Sequence, residues 1–174
     1  MHPKKYNSDL SIRNKRQSLR MPKHNYGWTG TYFVTIRAVQ REPIFEIPEL
    51  RTILIETWKS LPERFAGATL DEFVVMPDHI HFIIELEGNV EKPATLGDVT
   101  GAYKSLTTVA WIRHIKATGM ECSGIIWQRN YYERDIRDAN ELEQTRQYIR
   151  NNPTKQNKES PETIPGEATR GEHS

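Results

Sequence analysis

Residues 70–86 read LDEFVVMPDHIHFIIEL, two apolar runs that are separated by Pro77 and Asp78. Proline followed by aspartate has the backbone preferences of a tight turn, and each apolar run has the length of a strand. The pattern therefore predicts strands over residues 70–76 and 79–86, paired antiparallel as a hairpin.

The second strand of this hairpin places two histidines on one face, because alternate residues of a strand point the same way. Ile80 and Phe82 would enter the core, so His79, His81 and Glu85 would project from the opposite face. Neighbouring imidazoles can ligate one divalent cation and leave coordination positions open. The same spacing also fits two ordinary surface histidines beside a turn, so the pattern alone leaves both interpretations open.

The chain before the hairpin predicts a strand and a helix. Apolar and polar residues alternate from Thr31 to Ala38, which is the period of a half-buried strand. After Glu46 the apolar period becomes helical, so we expect a helix that begins near Pro48 and ends or kinks at Pro62.

The chain after the hairpin predicts a second helix with marked ends. Thr95 and Asp98 have the spacing of a capping box, and Gly119 follows the expected last residue, Thr118. The face of this helix that we expect to be exposed carries polar and basic residues, namely Lys104, Ser105, Thr107, Thr108, Arg113 and Lys116.

The remaining segments complete the fold prediction. Residues 125–137 (IIWQRNYYERDIR) indicate a loop and a fourth strand, and Asp138 then caps a last helix that stops at Pro153. The order β-α-β-β-α-β-α predicts an α+β protein in which a four-stranded antiparallel sheet carries its helices on one face. This plan is close to that of ferredoxin and of the RNA-recognition motif.

Two polar residues of the last helix could share one metal centre. Tyr148 and Asn152 are four positions apart, so they lie one helical turn from each other on the same side. Pro153 pushes the residue before it out of the helical region, which leaves the direction of Asn152 undetermined. Each residue also has an ordinary explanation, Tyr148 as a packing tyrosine and Asn152 as a helix terminator.

Composition limits the class of protein. The chain has 174 residues, of which 36% are hydrophobic, enough for one domain with a modest core, which we place at residues 29–153. Apolar runs of the length of a membrane span or a signal peptide are missing, and the single Cys122 cannot form an internal disulfide. We therefore expect a cytoplasmic protein that does not bind membranes.

Charge is distributed unevenly along the chain. Residues 1–28 hold seven basic side chains, Arg16 and Arg20 among them, against one acidic one, whereas the formal net charge of the whole chain is +1. Such a basic arm suits a phosphate backbone, because bound Lys and Arg release condensed counterions. A solvated, disordered leader has the same composition, and in an arbitrary protein it is the more common explanation. The polar tail at residues 154–174 is expected to be disordered.

Five segments together resemble one family of proteins. They are GTYFVTIR (30–37), VVMPDHIHFIIEL (74–86), GAYKSLTT (101–108), IIWQRNYYERDIRDANEL (125–142) and RQYIRNNP (146–153). Their order and intervals resemble the single-tyrosine HUH transposases, in which U is a bulky apolar residue, and most closely the REP-associated tyrosine transposases of bacteria. The resemblance covers residues 27–153 and implies the HUH fold.

The resemblance implies a reaction and the residues for it. The family's paired histidines match His79 and His81, its tyrosine nucleophile matches Tyr148, and its third metal ligand matches Asn152. These residues would hold Mg²⁺ or Mn²⁺ and nick single-stranded DNA through a 5′-phosphotyrosine intermediate, followed by strand transfer.

The implied partner is single-stranded or hairpin DNA, to which the protein would bind at the nucleoid. Candidate DNA contacts lie on the second helix, around the fourth strand and in the basic arm, at Lys104, Ser105, Arg129, Arg134, Arg137, Arg16 and Arg20. Each basic residue is equally well explained as a solvated surface charge. The sequence leaves open whether the protein is a monomer or a homodimer.

Two other functions remain as alternatives. The chain could be a non-enzymatic nucleic-acid-binding module on the same fold, or a metal-dependent RNA or phosphate-ester hydrolase in which water attacks. Tyr148 discriminates between them, because it is indispensable only to a transposase. Tyr131 and Tyr132 lie in a strand-forming stretch and are not expected to be the nucleophile.

Overall fold

A computed structural model describes residues 29–155, and its four strands form one antiparallel sheet in the order β2-β3-β1-β4. The predicted α+β class and the order β-α-β-β-α-β-α are confirmed. The elements are β1 (Gly30–Arg37), α1 (Pro48–Arg64), β2 (Ala68–Val75), β3 (His79–Leu86), α2 (Leu96–Thr118), β4 (Tyr132–Ile136) and α3 (Ala139–Lys155), with 3₁₀ turns at Val39–Arg41 and Ile44–Glu46. The expected basic arm and most of the expected tail lie outside the described residues.

The central hairpin forms as the sequence predicts. Strand β3 has the predicted bounds, and β2 begins two residues earlier than expected. The N–H of Met76 donates to the carbonyl oxygen of His79 at 2.8 Å and closes the turn over Pro77 and Asp78. The turn therefore fixes the register that brings Val75 opposite Ile80.

The main core lies between α1, α2 and one face of the sheet. Alternate residues of β3, such as Ile80 and Phe82, are fully or almost fully buried there, as the period of two requires. Polar atoms within this core have partners: the Tyr103 hydroxyl donates to the carbonyl oxygen of Leu54 at 3.0 Å. The residues that form the core include Val34, Ile36, Leu50, Leu54, Trp58, Leu61, Ile84, Leu86, Val99, Trp111 and Trp127.

Both ends of α2 are confirmed. The Thr95 hydroxyl accepts from the N–H of Asp98, and the Asp98 carboxylate accepts from the N–H of Thr95, so the capping box is complete. Gly119 has a φ of 69°, the left-handed conformation that glycine adopts without steric cost. The helix ends at Thr118 for this reason.

The predicted placement of all helices on one face of the sheet is wrong. Helices α1 and α2 cover one face, whereas α3 covers the other, where Phe33 and Ile83 meet Tyr148 and Ile149 in a second, smaller core. The apolar residues of this face alternate with threonine and histidine along β1 and β3, which made the face look polar in the sequence. An amphipathic α3 nevertheless buries it.

The expected stop of α3 at Pro153 is wrong, and of the end or kink expected in α1 at Pro62, the end does not occur there. Helix α1 continues through Pro62 to Arg64, and α3 continues through Pro153 to Lys155. A proline within a helix removes one backbone hydrogen bond and its ring crowds the carbonyl group four residues earlier, and each helix ends two residues after its proline. Burial of Leu61 and Ile149 next to these turns holds the helices in place.

Among residues 29–155, no helix combines the length and apolar character that crossing a bilayer requires.

Candidate functional site

The face of the sheet that α3 covers carries both histidines. In the antiparallel pairing of β1 with β3, Thr35 lies opposite His81 and Arg37 lies opposite His79, so all four side chains share this face. His79 is only 4% exposed and His81 only 3%. The interpretation of the pair as ordinary surface histidines is therefore wrong.

The two imidazoles converge on one point. The Nε2 atom of His79 lies 3.1 Å from the Nε2 atom of His81, and their ring planes are 71° apart. This distance suits a hydrogen bond between one protonated and one unprotonated ring nitrogen. Two nitrogen ligands that each lie about 2.1 Å from one ion, at right angles to each other, are also about 3 Å apart.

The opposite ring nitrogens have partners of their own. The Nδ1 atom of His79 lies 2.6 Å from Oδ1 of Asp78, and the Nδ1 atom of His81 lies 2.8 Å from the Thr35 hydroxyl. The carboxylate can accept a proton from Nδ1 of His79, so whenever Nε2 carries no proton its lone pair is directed into the site. The Thr35 hydroxyl can donate or accept, so His81 can carry its proton on either nitrogen.

The environment keeps His81 neutral. Burial lowers the pKa of His81 to about 3, and the positive charges of His79 and Arg37 add to this shift. Burial alone would raise the pKa of Asp78, but its hydrogen bond to His79 and the charges of His79, Arg41 and Arg37 lower the pKa instead. The site thus contains an ionised carboxylate and a neutral imidazole, which is the form that ligates metal ions.

Tyr148 packs against the histidine pair through an aromatic cluster. Its ring centroid lies 5.5 Å from that of His81 and 6.0 Å from that of Phe33. Phe33 stacks on His81 at 5.3 Å, so the three rings contact one another. The structure therefore brings the expected nucleophile and one expected metal ligand together, although they are 67 positions apart in the sequence.

Asn152 lies one turn beyond Tyr148 and remains helical, so Pro153 does not turn it away from α3. Its side chain is buried, and its amide nitrogen Nδ2 has no hydrogen-bond partner among the residues that the structure describes. A buried polar group without a partner costs about 1–3 kcal/mol. This amide is accordingly suited to bind a ligand, and rotation of the amide exchanges its nitrogen and oxygen.

Helix α3 is held on the sheet by two arginines. A β-bulge in β2 between Leu70 and Phe73 contains Asp71 and Glu72. Arg146 makes a bidentate contact with Asp71, with nitrogen–oxygen distances of 2.7–3.1 Å, and Arg150 bonds Glu72 at 2.5 and 2.8 Å. These pairs lie on either side of Tyr148 in the sequence, so the bulge helps to set the position of its helix.

The donor set fits a divalent metal ion. Two buried, converging imidazoles would supply nitrogen ligands, and the Asn152 amide, whose unpartnered atom is Nδ2, would supply an oxygen if its nitrogen and oxygen are exchanged by rotation. Within residues 29–155, no three His, Cys, Asp or Glu side chains come together as a metal site, so a third protein ligand of these types is missing. Imidazole nitrogens favour transition ions, whereas an amide oxygen suits Mg²⁺ and Mn²⁺ alike, so this mixed set does not select between Mg²⁺ and Mn²⁺.

Arg134, an expected DNA contact, lies inside the α3 face instead of on an open surface. Its guanidinium bonds Glu141 and the Thr145 hydroxyl and lies 5.7 Å from the centre of the Phe33 ring. Its side chain is 14% exposed. These contacts favour a function in supporting Phe33 and α3 over one in binding phosphate.

Lys104, a second expected DNA contact, ties α2 to the loop before β4. Its ammonium group donates to the carbonyl oxygens of Gln128 and Arg129 at 2.5 and 2.9 Å, and burial lowers its pKa. The expected exposed face of α2 is wrong in part, because Lys104 is half-buried. Thr107 is fully buried, where it accepts from the Trp127 indole.

The other expected DNA contacts are distributed around the domain. Ser105, Arg129 and Arg137 are exposed, so their side chains are accessible. Arg16 and Arg20 lie outside the described residues. The DNA-contact prediction for these five residues stays a prediction.

Sequence reasoning missed four residues of this site. Phe33, Thr35 and Arg37 occupy alternate positions of β1 opposite β3, and Asp78 was assigned only to the turn. Once β1 is paired with β3, the period of two places the three β1 residues beside the histidines. The pairing of these two strands, which are 41 residues apart, is the information that the local pattern lacks.

Comparison with protein families gives one match that spans the domain. The family model described as "Transposase IS200 like" matches residues 28–152. A protein of Haemophilus influenzae, described as uncharacterized, is 32% identical over 177 residues, which cover 86% of this chain and 92% of the relative.

Two solved structures share the fold. A REP-associated tyrosine transposase bound to a REP hairpin has a TM-score of 0.57 and 20% identity, over 78% of this chain and 74% of its own. The crystal structure of a candidate transposase from Deinococcus radiodurans has a TM-score of 0.51 and 17% identity, over 75% of this chain and 96% of its own. At these identities the likeness concerns the fold.

Proposed function

Because the chain belongs to the IS200-like transposase family, we propose that it is a metal-dependent enzyme that nicks single-stranded DNA at repeat hairpins and transfers the strand through Tyr148. The observation that carries the proposal is the convergence of the two Nε2 atoms, 3.1 Å apart, beside the Tyr148 ring. A nucleic-acid-binding module has no need of two buried imidazoles that are oriented by Asp78 and Thr35.

The proposed reaction is a transesterification. The Tyr148 oxygen attacks the phosphorus of a phosphodiester and loses its proton, the P–O3′ bond breaks, and the departing 3′ oxygen takes up a proton. The products are a 5′-phosphotyrosyl enzyme and a 3′-hydroxyl end, and attack of a 3′-hydroxyl on the enzyme-bound phosphate completes strand transfer. The bond energy is retained, so no nucleoside triphosphate is needed.

The chain's own residues supply orientation. Asp78 holds His79 with Nε2 directed inward, Thr35 does the same for His81, and Phe33 packs against the Tyr148 ring. A divalent ion held by His79, His81 and Asn152 would neutralise charge on the phosphate oxygens, an effect that contributes several kcal/mol in metal-dependent phosphoryl transfer.

The hairpin substrate is proposed from a structural neighbour. The REP-associated tyrosine transposase with the same fold is bound to a REP hairpin. The exposed Ser105, Arg129 and Arg137 are the candidate contacts for such DNA in the described part of this chain. Tracking of the backbone by basic side chains would give affinity without fixing the sequence that is recognised.

A covalent-adduct assay tests the proposal. The protein is incubated with end-labelled hairpin DNA that has single-stranded flanks, with and without Mn²⁺, and run on a denaturing gel. We expect an adduct that disappears in Tyr148→Phe and on removal of metal, and that persists in Tyr132→Phe. Tyr132 is the matched control, because its ring also lies near Phe33, at 6.4 Å.

The other outcomes identify the alternatives. Retained hairpin binding without an adduct at any metal concentration would favour the non-enzymatic binding module. Strand cleavage that survives in Tyr148→Phe would favour the hydrolase in which water attacks.

A further inference from the structure

Residues 128–131 bulge out of the edge of the sheet, beside the end of β1, and are called the edge bulge below. Trp127, just before them, lies opposite Ala38 in an isolated bridge. Tyr132, just after them, lies opposite Thr35 in the pairing of β1 with β4. Four residues of the outer chain therefore lie opposite only two residues of β1. Bulges are frequent beside active sites, where they redirect groups of the chain.

The edge bulge is anchored on both sides of its apex. Trp127 is buried in the main core, and Tyr131 is partly buried and packs against that core. The N–H of Gln128 donates to a backbone carbonyl oxygen of β1 at 3.0 Å, so hydrogen bonding to β1 continues into the bulge. Only Arg129 and Asn130 of the bulge are exposed. The exposed apex is thus held by an ordered base.

Lys104 orients the apex from α2, which covers the face of the sheet opposite to the histidines. Its ammonium group donates to two consecutive carbonyl oxygens, those of Gln128 and Arg129, at 2.5 and 2.9 Å. A planar trans peptide group directs its N–H away from its carbonyl oxygen. The N–H groups of Arg129 and Asn130 belong to these two peptide groups. Both N–H groups are therefore directed away from Lys104.

The side of the apex that faces away from Lys104 consists of hydrogen-bond donors. Within residues 29–155, the N–H groups of Arg129 and Asn130 have no acceptor, and neither side chain has a partner. Lys104 is half-buried and forms no ion pair with a carboxylate in the same part of the chain. Successive backbone N–H groups that point to one side bind anions. The apex therefore has the donors and the positive charge that an anion requires.

The edge bulge lies beside the histidine pair. Tyr132 is opposite Thr35, and Thr35 is opposite His81 in the next pairing of the sheet. Neighbouring strands are about 4.8 Å apart, so the backbones at Tyr132 and His81 are about 10 Å apart across the sheet. Tyr132 is 37% exposed, and its ring centroid lies 6.4 Å from that of Phe33. A DNA strand that is bound at the histidines can therefore extend across this edge to the bulge.

We propose that the edge bulge is a phosphate-binding loop for single-stranded DNA beside the histidine pair. The N–H groups of Arg129 and Asn130 and the Arg129 guanidinium bind one phosphate, and Lys104 is a positioning residue that keeps both N–H groups directed at it. The two peptide dipoles then lie between the ammonium and the phosphate, which strengthens their hydrogen bonds. The proposal rests on the proposed function only for the identity of the anion as a DNA phosphodiester.

The amide proton signals of Arg129 and Asn130 test this loop directly. The full chain, isotope-labelled for NMR, is titrated with oligothymidylate in EDTA. We expect both signals to move downfield, because an amide proton that bonds a phosphate oxygen is deshielded. Both shifts should be lost in Lys104→Met and retained in Lys116→Met. Lys116 is the matched control because it is an exposed lysine of the same helix.

Three results of this titration would contradict the proposal. Unmoved signals of Arg129 and Asn130 at saturating oligothymidylate overturn the loop. Equal shifts in Lys104→Met and in the unchanged protein overturn the positioning function of Lys104. Inorganic phosphate is titrated in parallel, and if it moves both signals as far as the same concentration of oligonucleotide phosphate does, the assignment to DNA is overturned.

The salt dependence of DNA binding decides the test even if Lys104→Met does not fold. Each phosphate contact on a single strand contributes about 0.7 to the slope of log Kd against log salt. Arg129→Gln, at an exposed position, should lower the slope for labelled oligothymidylate, measured by anisotropy, by about this amount. Arg51→Gln removes the same charge from an exposed position on α1, on the other face of the sheet. Equal slopes for these two variants overturn the loop.

The result is distinguishable from failure of the proposed function. Shifted signals of Arg129 and Asn130 together with no tyrosine adduct would support the phosphate-binding loop and overturn the transposase proposal. An adduct on Tyr148 together with unmoved signals would overturn the loop alone. Absence of oligothymidylate binding by the unchanged protein would overturn the loop as well.

Discussion

At the scale of single residues, the orientation of the histidines depends on the groups behind them. Asp78 fixes the Nδ1 proton of His79, whereas Thr35 leaves the tautomer of His81 adjustable. Metal affinity is sensitive to such partners because they determine which lone pair faces the ion. Asp78 is therefore expected to orient His79 for metal binding, in addition to forming the turn.

Asp78→Asn should weaken Mn²⁺ binding by about 10–100-fold, since the amide no longer supplies a negative charge behind His79. Titration of Mn²⁺ followed by electron paramagnetic resonance measures this change. Asp138→Asn is the control, because Asp138 caps α3 by accepting from the N–H of Glu141, and asparagine caps helices equally well. Equal Mn²⁺ affinity in the two variants would contradict the proposed function of Asp78.

His81 should make the metal-free protein less stable in acid. The unfolded chain protonates this histidine near pH 6.5, whereas the folded chain, with a pKa of about 3, stays neutral, so the unfolded state binds more protons between these values. The free energy of unfolding should fall by roughly 1.4 kcal/mol per pH unit below about 6.5. The lowered pKa of Asp78 adds to the loss only near and below pH 4.

Urea denaturation in EDTA at pH 7, 6 and 5 measures this dependence. His81→Gln removes the titrating group, so its free energy of unfolding should change less with pH than that of the unchanged protein. If the free energy of unfolding changes equally with pH in the two proteins, His81 takes up a proton as readily in the folded chain as in the unfolded chain. That result would contradict the lowered pKa of His81.

At the scale of elements, α3 is positioned by charge as well as by apolar contact. Among residues 29–155, the smaller core between α3 and the sheet has four buried residues, of which Phe33 and Ile83 come from the sheet and Tyr148 and Ile149 from α3. The bulge in β2 adds the Arg146–Asp71 and Arg150–Glu72 pairs. We expect these pairs to set the distance between Tyr148 and the histidines.

Asp71→Arg should slow formation of the Tyr148 adduct several-fold and speed amide hydrogen exchange in α3, because it removes the bidentate contact and repels Arg146. The double variant Asp71→Arg with Arg146→Asp should recover part of the rate by reversing the pair. Glu56→Gln, which breaks the exposed Lys59–Glu56 pair on α1, is the control. An adduct rate that is equal in Asp71→Arg and Glu56→Gln would contradict this function of the bulge.

Local patterns in the sequence predict most elements and few of the contacts between them. The bounds of β3 and α2 are set by alternation, a turn and a capping box, all of which lie within a few residues. The position of α3 depends on the pairing of β1 with β3 and on the bulge at Asp71 and Glu72. Both features depend on residues far apart in the sequence, so the spacing of apolar residues within one segment cannot predict them.

For the site too, the sequence predicts which residues are important but few of the contacts between them. The motif predicts His79, His81, Tyr148 and Asn152, and the structure brings His79, His81 and Tyr148 together. It did not predict Arg134 as a support for Phe33 or Lys104 as a tie to the next loop. A basic residue in a sequence carries no sign of whether a carboxylate or a carbonyl oxygen will engage it.

At the scale of the whole molecule, basic residues are concentrated at the N-terminal end of the sequence, in residues 1–28. The basic arm at residues 1–28 lies outside the described residues, whereas the site lies on the α3 face of the sheet. Replacing both Arg16 and Arg20 with glutamine should reduce the salt slope of hairpin binding by about 0.7–0.9 for each phosphate that the arm no longer binds. Adduct formation at saturating DNA should be unchanged.

Anisotropy measurements over a salt series, with the adduct assay in parallel, check this prediction. Replacing Lys158 and Arg170 of the C-terminal tail with glutamine removes the same charge elsewhere and is the control. Equal slopes for the arm and tail variants would assign no phosphate contact to Arg16 and Arg20.

The central claim is that Tyr148 becomes covalently joined to DNA. The most direct measurement is mass spectrometry of the adduct after digestion with nuclease and protease, which identifies the modified peptide and the linked end of the nucleotide. We expect a 5′-phosphate on Tyr148, in the peptide that contains QYIRNNP or its proteolytic fragments. A nucleotide on Tyr131 or Tyr132, or cleaved DNA with no modified tyrosine, would contradict it.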